Sequence, residues 1–221
     1  MMDKVITRLV VDTEEKRTQF QEGFKSFSKR HGLRGWEGWF SPYNNKIYEK
    51  ILKNIKKDDV VLDIGAGDLR LSLQIAMRAK IVYAVEVNPK VLGPALEKIG
   101  WDQPRNLVAI CANALDIPFP KDITIAVLLM RHCHHFRDYV IKLRFTNCRN
   151  LITNVRWKTG VEGIELTVKG EDFSQVKGGW YACKCGAVSF VHHDPSSDKQ
   201  HFLIHEVENC PRCGFESSWS R

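Results

Sequence analysis

The run Val60-Val61-Leu62-Asp63-Ile64 ends in Gly65-Ala66-Gly67-Asp68, and a helical pattern follows it. A second apolar run, Ile81-Val82-Tyr83-Ala84-Val85, ends in Glu86. A strand feeding a glycine turn, with a carboxylate at the tip of the next strand, is the way doubly wound folds hold an adenosine. This pair of segments therefore sets both an architecture and a ligand class.

The flanking pattern continues the alternation. Strands are predicted over 60–64, 81–87, 106–112, 122–130 and 150–156, and helices over 69–79, 89–99 and 136–143. Asn88 is placed to cap the 89–99 helix, with Pro89 at its first position. Phe136, Tyr139, Val140 and Leu143 share one helical face. Such alternation predicts an α/β fold, a Rossmann-like, doubly wound and mostly parallel sheet with helices on both faces. Ahead of it, Phe20, Phe24 and Phe27 recur at helical spacing between Thr13 and Gly32, and Ile47, Ile51 and Ile55 line a second helix. Between these lies a glycine- and aromatic-rich loop with Trp36, Trp39 and Tyr43, a lid or a hydrophobic plug. Ile164–Val168 alternates like a strand, and 170–179 reads as a polar linker. The expected division is an N-terminal helical segment and lid loop (1–57), a core (58–170) and a cysteine region (180–221).

The motif residues resemble those of the class I S-adenosylmethionine-dependent methyltransferases. Asp63-Ile64-Gly65-Ala66-Gly67-Asp68 is similar to their glycine motif, and Asn113-Ala114-Leu115-Asp116-Ile117-Pro118-Phe119 to their loop after the third strand. The resemblance covers roughly residues 40–156. It implies that Asp63, Gly65, Ala66, Gly67 and Asp68 meet the methionine part of the cofactor, and that Glu86 takes the ribose hydroxyls. It also puts Val87, Asn113, Ala114 and Met130 in the cofactor site. Asn113 stands where an aspartate usually meets the adenine amine, and an amide oxygen can accept the same bond. The residues read alone agree. A pyrophosphate site would prefer a third glycine where Arg70 stands, and Asp68 would repel phosphates; a cationic sulfonium tolerates that acid. A nucleotide cofactor and a fold that binds nothing are the alternatives.

Beyond the fourth strand comes Met130-Arg131-His132-Cys133-His134-His135. His132, His134 and His135 are candidate general bases for an acceptor hydroxyl or amine, or else pocket lining or a metal site. The signatures of base-amino and cytosine-carbon methylation are missing, and Cys133 has no proline before it. Positioning the acceptor for in-line attack supplies much of the rate in such a transfer, so a strong base is not required.

Seven cysteines are present. Cys111, Cys133 and Cys148 sit in apolar stretches and read as buried small hydrophobes. Cys183-x-Cys185-Gly and Cys210-x-x-Cys213-Gly instead suggest two knuckles of a structural zinc ribbon, with His192, His193, His201 and His205 between them as possible substitutes. A redox or disulfide role is the alternative.

Of the net charge of +7, residues 1–57 carry 13 basic against 7 acidic side chains, whereas residues 151–221 carry 8 against 9. A basic N-terminal face favours a polyanion such as RNA, or is simply a solvated helix surface. No apolar run is long enough to span a membrane and no secretory pattern opens the chain, so a cytoplasmic location is expected. Taken together, the sequence predicts a methyltransferase with S-adenosylmethionine as cofactor, a zinc ribbon and an RNA acceptor. The alternatives are a small-molecule or protein acceptor, or a non-catalytic binding module; the oligomeric state is open.

Overall fold

The structure, a computed structural model, describes residues 43–131, 133–157, 160–192 and 204–216. The helix expected between Thr13 and Gly32, Trp36 and Trp39 of the loop, His132, His193 and His201 lie outside the described residues. The chain forms two compact units, Met1–Ile117 and Pro118–Arg221. Its fold is of the expected class: Rossmann-like, mostly parallel α/β, with a small second sheet near the C-terminus. Among the described residues no helix is long and apolar enough to cross a membrane.

In the first unit, helix α1 (Asn45–Leu52) precedes strand β1 (Val60–Ile64), helix α2 (Arg70–Ala76), strand β2 (Ile81–Glu86), helix α3 (Pro89–Ile99) and strand β3 (Leu107–Cys111). β2 lies between β1 and β3 and runs parallel to both, with Val60 opposite Ile81 and Val82 opposite Leu107. All five residues of β1 are buried, as a strand covered on both faces requires. α3 has the predicted bounds. The Asn88 side chain accepts from Lys90 N at 3.0 Å, Pro89 occupies the first turn, and Gly100 stops the helix at φ 56°.

α2 is shorter than expected because its end is met from outside. Asn106 Nδ2 donates to Ala76 O at 2.7 Å and Ala79 O at 3.0 Å, satisfying carbonyls that a continuing helix would have used. α1 likewise stops at Leu52, and Ile55 is buried beyond its end. Cys111 corrects the reading of a buried thiol. It is the last residue of β3, which among the described residues pairs with β2 alone, and it is exposed, as is Val108.

The second unit holds strand β4 (Ile125–Leu128), helix α4 (Phe136–Arg144), strand β5 (Asn150–Thr153) and strand β6 (Glu162–Glu165). β5 is parallel to β4 and antiparallel to β6. Phe136, Tyr139, Val140 and Leu143 are the buried face of α4, as their spacing predicts. Then come β7 (Glu171–Asp172), β8 (Gly179–Cys183), β9 (Val188–Val191), β10 (Ile204–Glu208) and helix α5 (Pro211–Glu216). Their sheet runs β7-β10-β8-β9, with β10 parallel to both neighbours and β8–β9 an antiparallel pair. The polar stretch 170–179 is therefore not a plain linker. Glu171 and Asp172 pair with Val207 and Glu208, and Gly170 packs so closely that an added Cβ would lie 2.9 Å from Glu206 O.

Arg156, just after β5, ties the two sheets of this unit together. Its guanidinium, 3% exposed, makes a two-pronged pair with Glu162 (2.8 and 2.6 Å) and a third bond to Glu206 Oε1 of β10 at 2.5 Å. These carboxylates hold the guanidinium charged against the burial that opposes it.

Candidate cofactor site and metal centre

The tips of β1, β2 and β3 bring the predicted cofactor residues of the first unit together. Gly65 and Gly67 take φ of 74° and 58°, left-handed values that a side chain would strain. Gly65 N and Ala66 N both donate to Val85 O, at 2.8 and 3.0 Å, so the turn is bonded to the end of β2. Gly67 N then donates to Glu86 Oε2 at 2.8 Å, and Asn88 N donates to Glu86 Oε1 at 2.9 Å. Two backbone amides thus fix the Glu86 carboxylate across the turn. Each oxygen keeps a further lone-pair site for a hydroxyl donor. Val87 follows, 60% exposed, an apolar surface beside that carboxylate.

Asp63 is buried and accepts from Ser72 Oγ at 2.6 Å. Burial pushes its carboxyl up to about 6; the Ser72 bond opposes this and the Glu86 charge adds to it. The folded value lies above the ordinary one, so the contribution of Asp63 to stability is full below pH 4 and is lost as pH rises through 6. Raising the carboxyl from its ordinary value to about 6 corresponds to about 3 kcal/mol. Asp63→Asn is therefore expected to be more stable than the parent by about 2–3 kcal/mol at pH 8, read by urea unfolding. The gain should vanish near pH 4; equal stabilities at pH 8 would contradict the buried charge.

Asp68 pairs with Arg70 at 3.1 Å and accepts from Arg70 N at 3.2 Å. Burial raises its carboxyl and the guanidinium opposes that rise. Leu69, fully buried at φ 64°, starts α2 with no side-chain cap. Tyr48 of α1 was not singled out in the sequence. Its buried phenol is pushed up by burial and then by the charge of Asp68, so α1 lies within electrostatic reach of the turn. Three carboxylates against one guanidinium make this turn a poor phosphate site. They suit an adenosine carrying a cationic group.

After β3, Asn113 forms its own turn: Oδ1 accepts from Leu115 N at 3.1 Å and its carbonyl from Asp116 N at 3.0 Å. Its side-chain oxygen keeps a second lone pair for an adenine amine, and its NH2 group is a donor suited to a purine ring nitrogen. Ala114 beside it is buried.

In the second unit, β4 leads to Met130 and Cys133, both half-buried, and to His134 and His135, both exposed. His135 Nδ1 stands 3.2 Å from Asp138 Oδ2 in the first turn of α4. That carboxylate can orient the ring and leave Nε2 to solvent or substrate. Burial raises the Cys133 thiol, which keeps it protonated and a poor nucleophile.

Cys183, Cys185, Cys210 and Cys213 converge, with all four sulfurs within 4.8 Å of one another. Cys183–Cys213 is 3.6 Å, Cys185–Cys210 3.5 Å and Cys210–Cys213 3.8 Å. A tetrahedral zinc with bonds of about 2.3 Å needs sulfurs about 3.8 Å apart, so the donor set fits that ion in size and softness. Each pair sits on a tight turn: Gly186 N donates to Cys183 O at 2.9 Å with φ 96°, and Cys213 N to Cys210 O at 2.8 Å. Hydrogen bonding from Cys185 pushes the Cys183 thiol down to about 5, while that bond and burial push Cys185 up. The intervening histidines described here do not join the donors: His192 is exposed and His205 Nδ1 pairs with Glu171.

Residues 61–154 match a family described as a methyltransferase domain. The chain is 27% identical over 103 residues to a tRNA (guanine(37)-N(1))-methyltransferase of Pyrococcus abyssi, covering 47% of this chain and 31% of that protein. It is 32% identical over 71 residues to a probable ribosomal RNA small subunit methyltransferase A of Methanosarcina acetivorans, covering 32% and 26%. It is 25% identical over 101 residues to a probable cobalt-precorrin-6B C(15)-methyltransferase of Methanococcus vannielii, covering 46% and 55%. The chain thus spans about a quarter to a half of the length of these curated relatives.

Proposed function

We propose that this chain, which carries a methyltransferase domain over residues 61–154, transfers a methyl group from S-adenosylmethionine to RNA. The observation that carries the cofactor is the Glu86 carboxylate, fixed by the Gly67 and Asn88 amides over an acidic glycine turn. When bound, the cofactor supplies a methyl group already activated on a sulfonium. The residues of the chain bind and orient. Glu86 accepts from the ribose hydroxyls, and Val87, Asn113 and Ala114 frame the adenine. Asp63, Gly65, Ala66, Gly67 and Asp68 face the aminoacid end, and Met130 of the second unit is the further cofactor residue that the resemblance implies.

On the acceptor side, one of His132, His134 or His135 takes the proton that the acceptor atom loses as its new bond to carbon forms. His135, oriented by Asp138, is the best placed of those described. The four cysteines hold a structural zinc that folds the ribbon and does no chemistry, since a closed four-thiolate site leaves no open position. The functional division follows: N-terminal segment 1–57 for RNA, core 58–170 for cofactor and transfer, ribbon 180–221 for structure.

RNA as acceptor is supported by the basic surplus of residues 1–57 and by the tRNA and ribosomal RNA methyltransferases among the relatives. The corrinoid-precursor methyltransferase among them favours a small-molecule acceptor as the second reading. Labelled cofactor incubated with fractionated cell extract separates the two. Label is expected in the RNA fraction, with RNA binding falling steeply as salt is raised. Label confined to small molecules supports the second reading, and no uptake despite cofactor binding makes the chain a binding module.

A further inference from the structure

The metal knuckles and the histidine turn lie in the same compact unit, joined by α4. Phe136, the first residue of that helix, is 2% exposed and lies against Gly186. A Cβ on Gly186 would stand 2.9 Å from Phe136 Cδ1 and 3.5 Å from its Cβ and Cγ. Gly186 is the residue that turns the chain after Cys185, with its N bonded to Cys183 O. The next helical residue, Arg137, donates from NH1 to Cys213 O at 3.4 Å, reaching the second knuckle. At the far end of α4, Arg144 pairs with Glu208 of β10 at 2.7 Å. Both ends of the helix are therefore seated on the ribbon. The turn before it is bonded to the helix, because Tyr139 N donates to His135 O at 3.1 Å, and closed on itself, because Cys133 N donates to Met130 O at 3.0 Å.

We infer that the four-cysteine ribbon is a positioning element for the turn carrying Cys133, His134 and His135, acting through Phe136 on Gly186 and Arg137 on Cys213. A buried ring wedged on a glycine backbone allows little sliding, so the knuckle sets where the first turn of α4 begins. That start fixes the direction in which His135 leaves the helix. Phe136 and Arg137 are thus positioning residues. The importance of the turn rests on its reading as the acceptor side of a methyltransferase.

The test uses the whole 221-residue chain, loaded with zinc. Phe136→Ala is expected to keep one zinc per chain and to bind S-adenosylhomocysteine within twofold of the parent. Amide exchange over 133–137 should rise at least tenfold, and the imidazole proton resonances of His134 and His135 should move. Phe136→Leu, which keeps an apolar side chain on the glycine, should restore most of both signals. Arg137→Ala, at a half-buried site, should raise exchange over the same residues about threefold even if Phe136→Ala fails to fold. Exchange and resonances unchanged in Arg137→Ala, or in a zinc-loaded Phe136→Ala, overturn the inference. Failure of the parent to bind S-adenosylhomocysteine would remove the methyltransferase reading and leave the exchange result standing.

Discussion

Cys210→Ser is expected to drop zinc below half an ion per chain and to abolish amide protection across β8, β9 and β10, while β1, β2 and β3 stay protected. The reason is the size of the ribbon's own core. Its buried members are Val176, Tyr181, Cys183, Cys185, Ala187, Val207 and Cys210, with Phe173, Val191 and Cys213 packed against them. Three of the seven are cysteines of the four-sulfur cluster, so an ion held there would be much of what the core encloses. Small folds of this kind draw their stability from the ion, and structural zinc in finger peptides contributes about 10–16 kcal/mol near neutral pH. No rearrangement of the remaining apolar side chains matches that. Metal analysis with hydrogen exchange checks both parts. Full protection in a zinc-free protein would show that the sulfurs pack as ordinary hydrophobes.

Glu86→Ala should weaken S-adenosylhomocysteine binding about 100-fold by calorimetry. The carboxylate is placed to accept two hydroxyl protons, and bonds to a charged acceptor contribute about 1.5–3 kcal/mol each. Part of this is offset when water reaches the Gly67 and Asn88 amides, which leaves about 3 kcal/mol. Glu86→Gln keeps one acceptor and should lie between, near tenfold. An alanine variant within threefold of the parent would take Glu86 out of the cofactor site.

What the sequence made legible follows from how local its signals are. The Asn88–Pro89 start and the Gly100 stop gave α3 both bounds, because cap and terminator are adjacent to the helix they punctuate. The glycine turn and Glu86 were found for the same reason: strand, turn and strand tip follow one another along the chain. Strand ends were overestimated. Residues 122–130 are apolar enough to extend β4, yet pairing to β5 covers only Ile125–Leu128.

Long-range partners left no local trace. Nothing near Arg156 signals a carboxylate 50 residues later on β10. Nothing in the polar run 170–179 announces that Glu171 and Asp172 would pair with Val207 and Glu208. Tyr48 lies on the same helix as Ile47 and Ile51 and reads as plain core until its phenol is found beside the charge of Asp68. The histidine turn was legible as composition. Its seat on the ribbon was not, because Gly186 follows Phe136 by 50 positions and only the fold brings a glycine backbone under that ring.

The Arg156 cluster bears on whether the two sheets can be exchanged separately. One guanidinium satisfies an acid from its own sheet and an acid from the cysteine-bearing sheet, within a site that is 3% open on the arginine side. A ribbon exchanged for another version, lacking an acid where Glu206 stands, would leave the Glu162 pair in place but strip the NH1 group of the carboxylate it donates to. The two parts are therefore not freely interchangeable cassettes. A change at Arg156 or at Glu206 is therefore felt by both sheets.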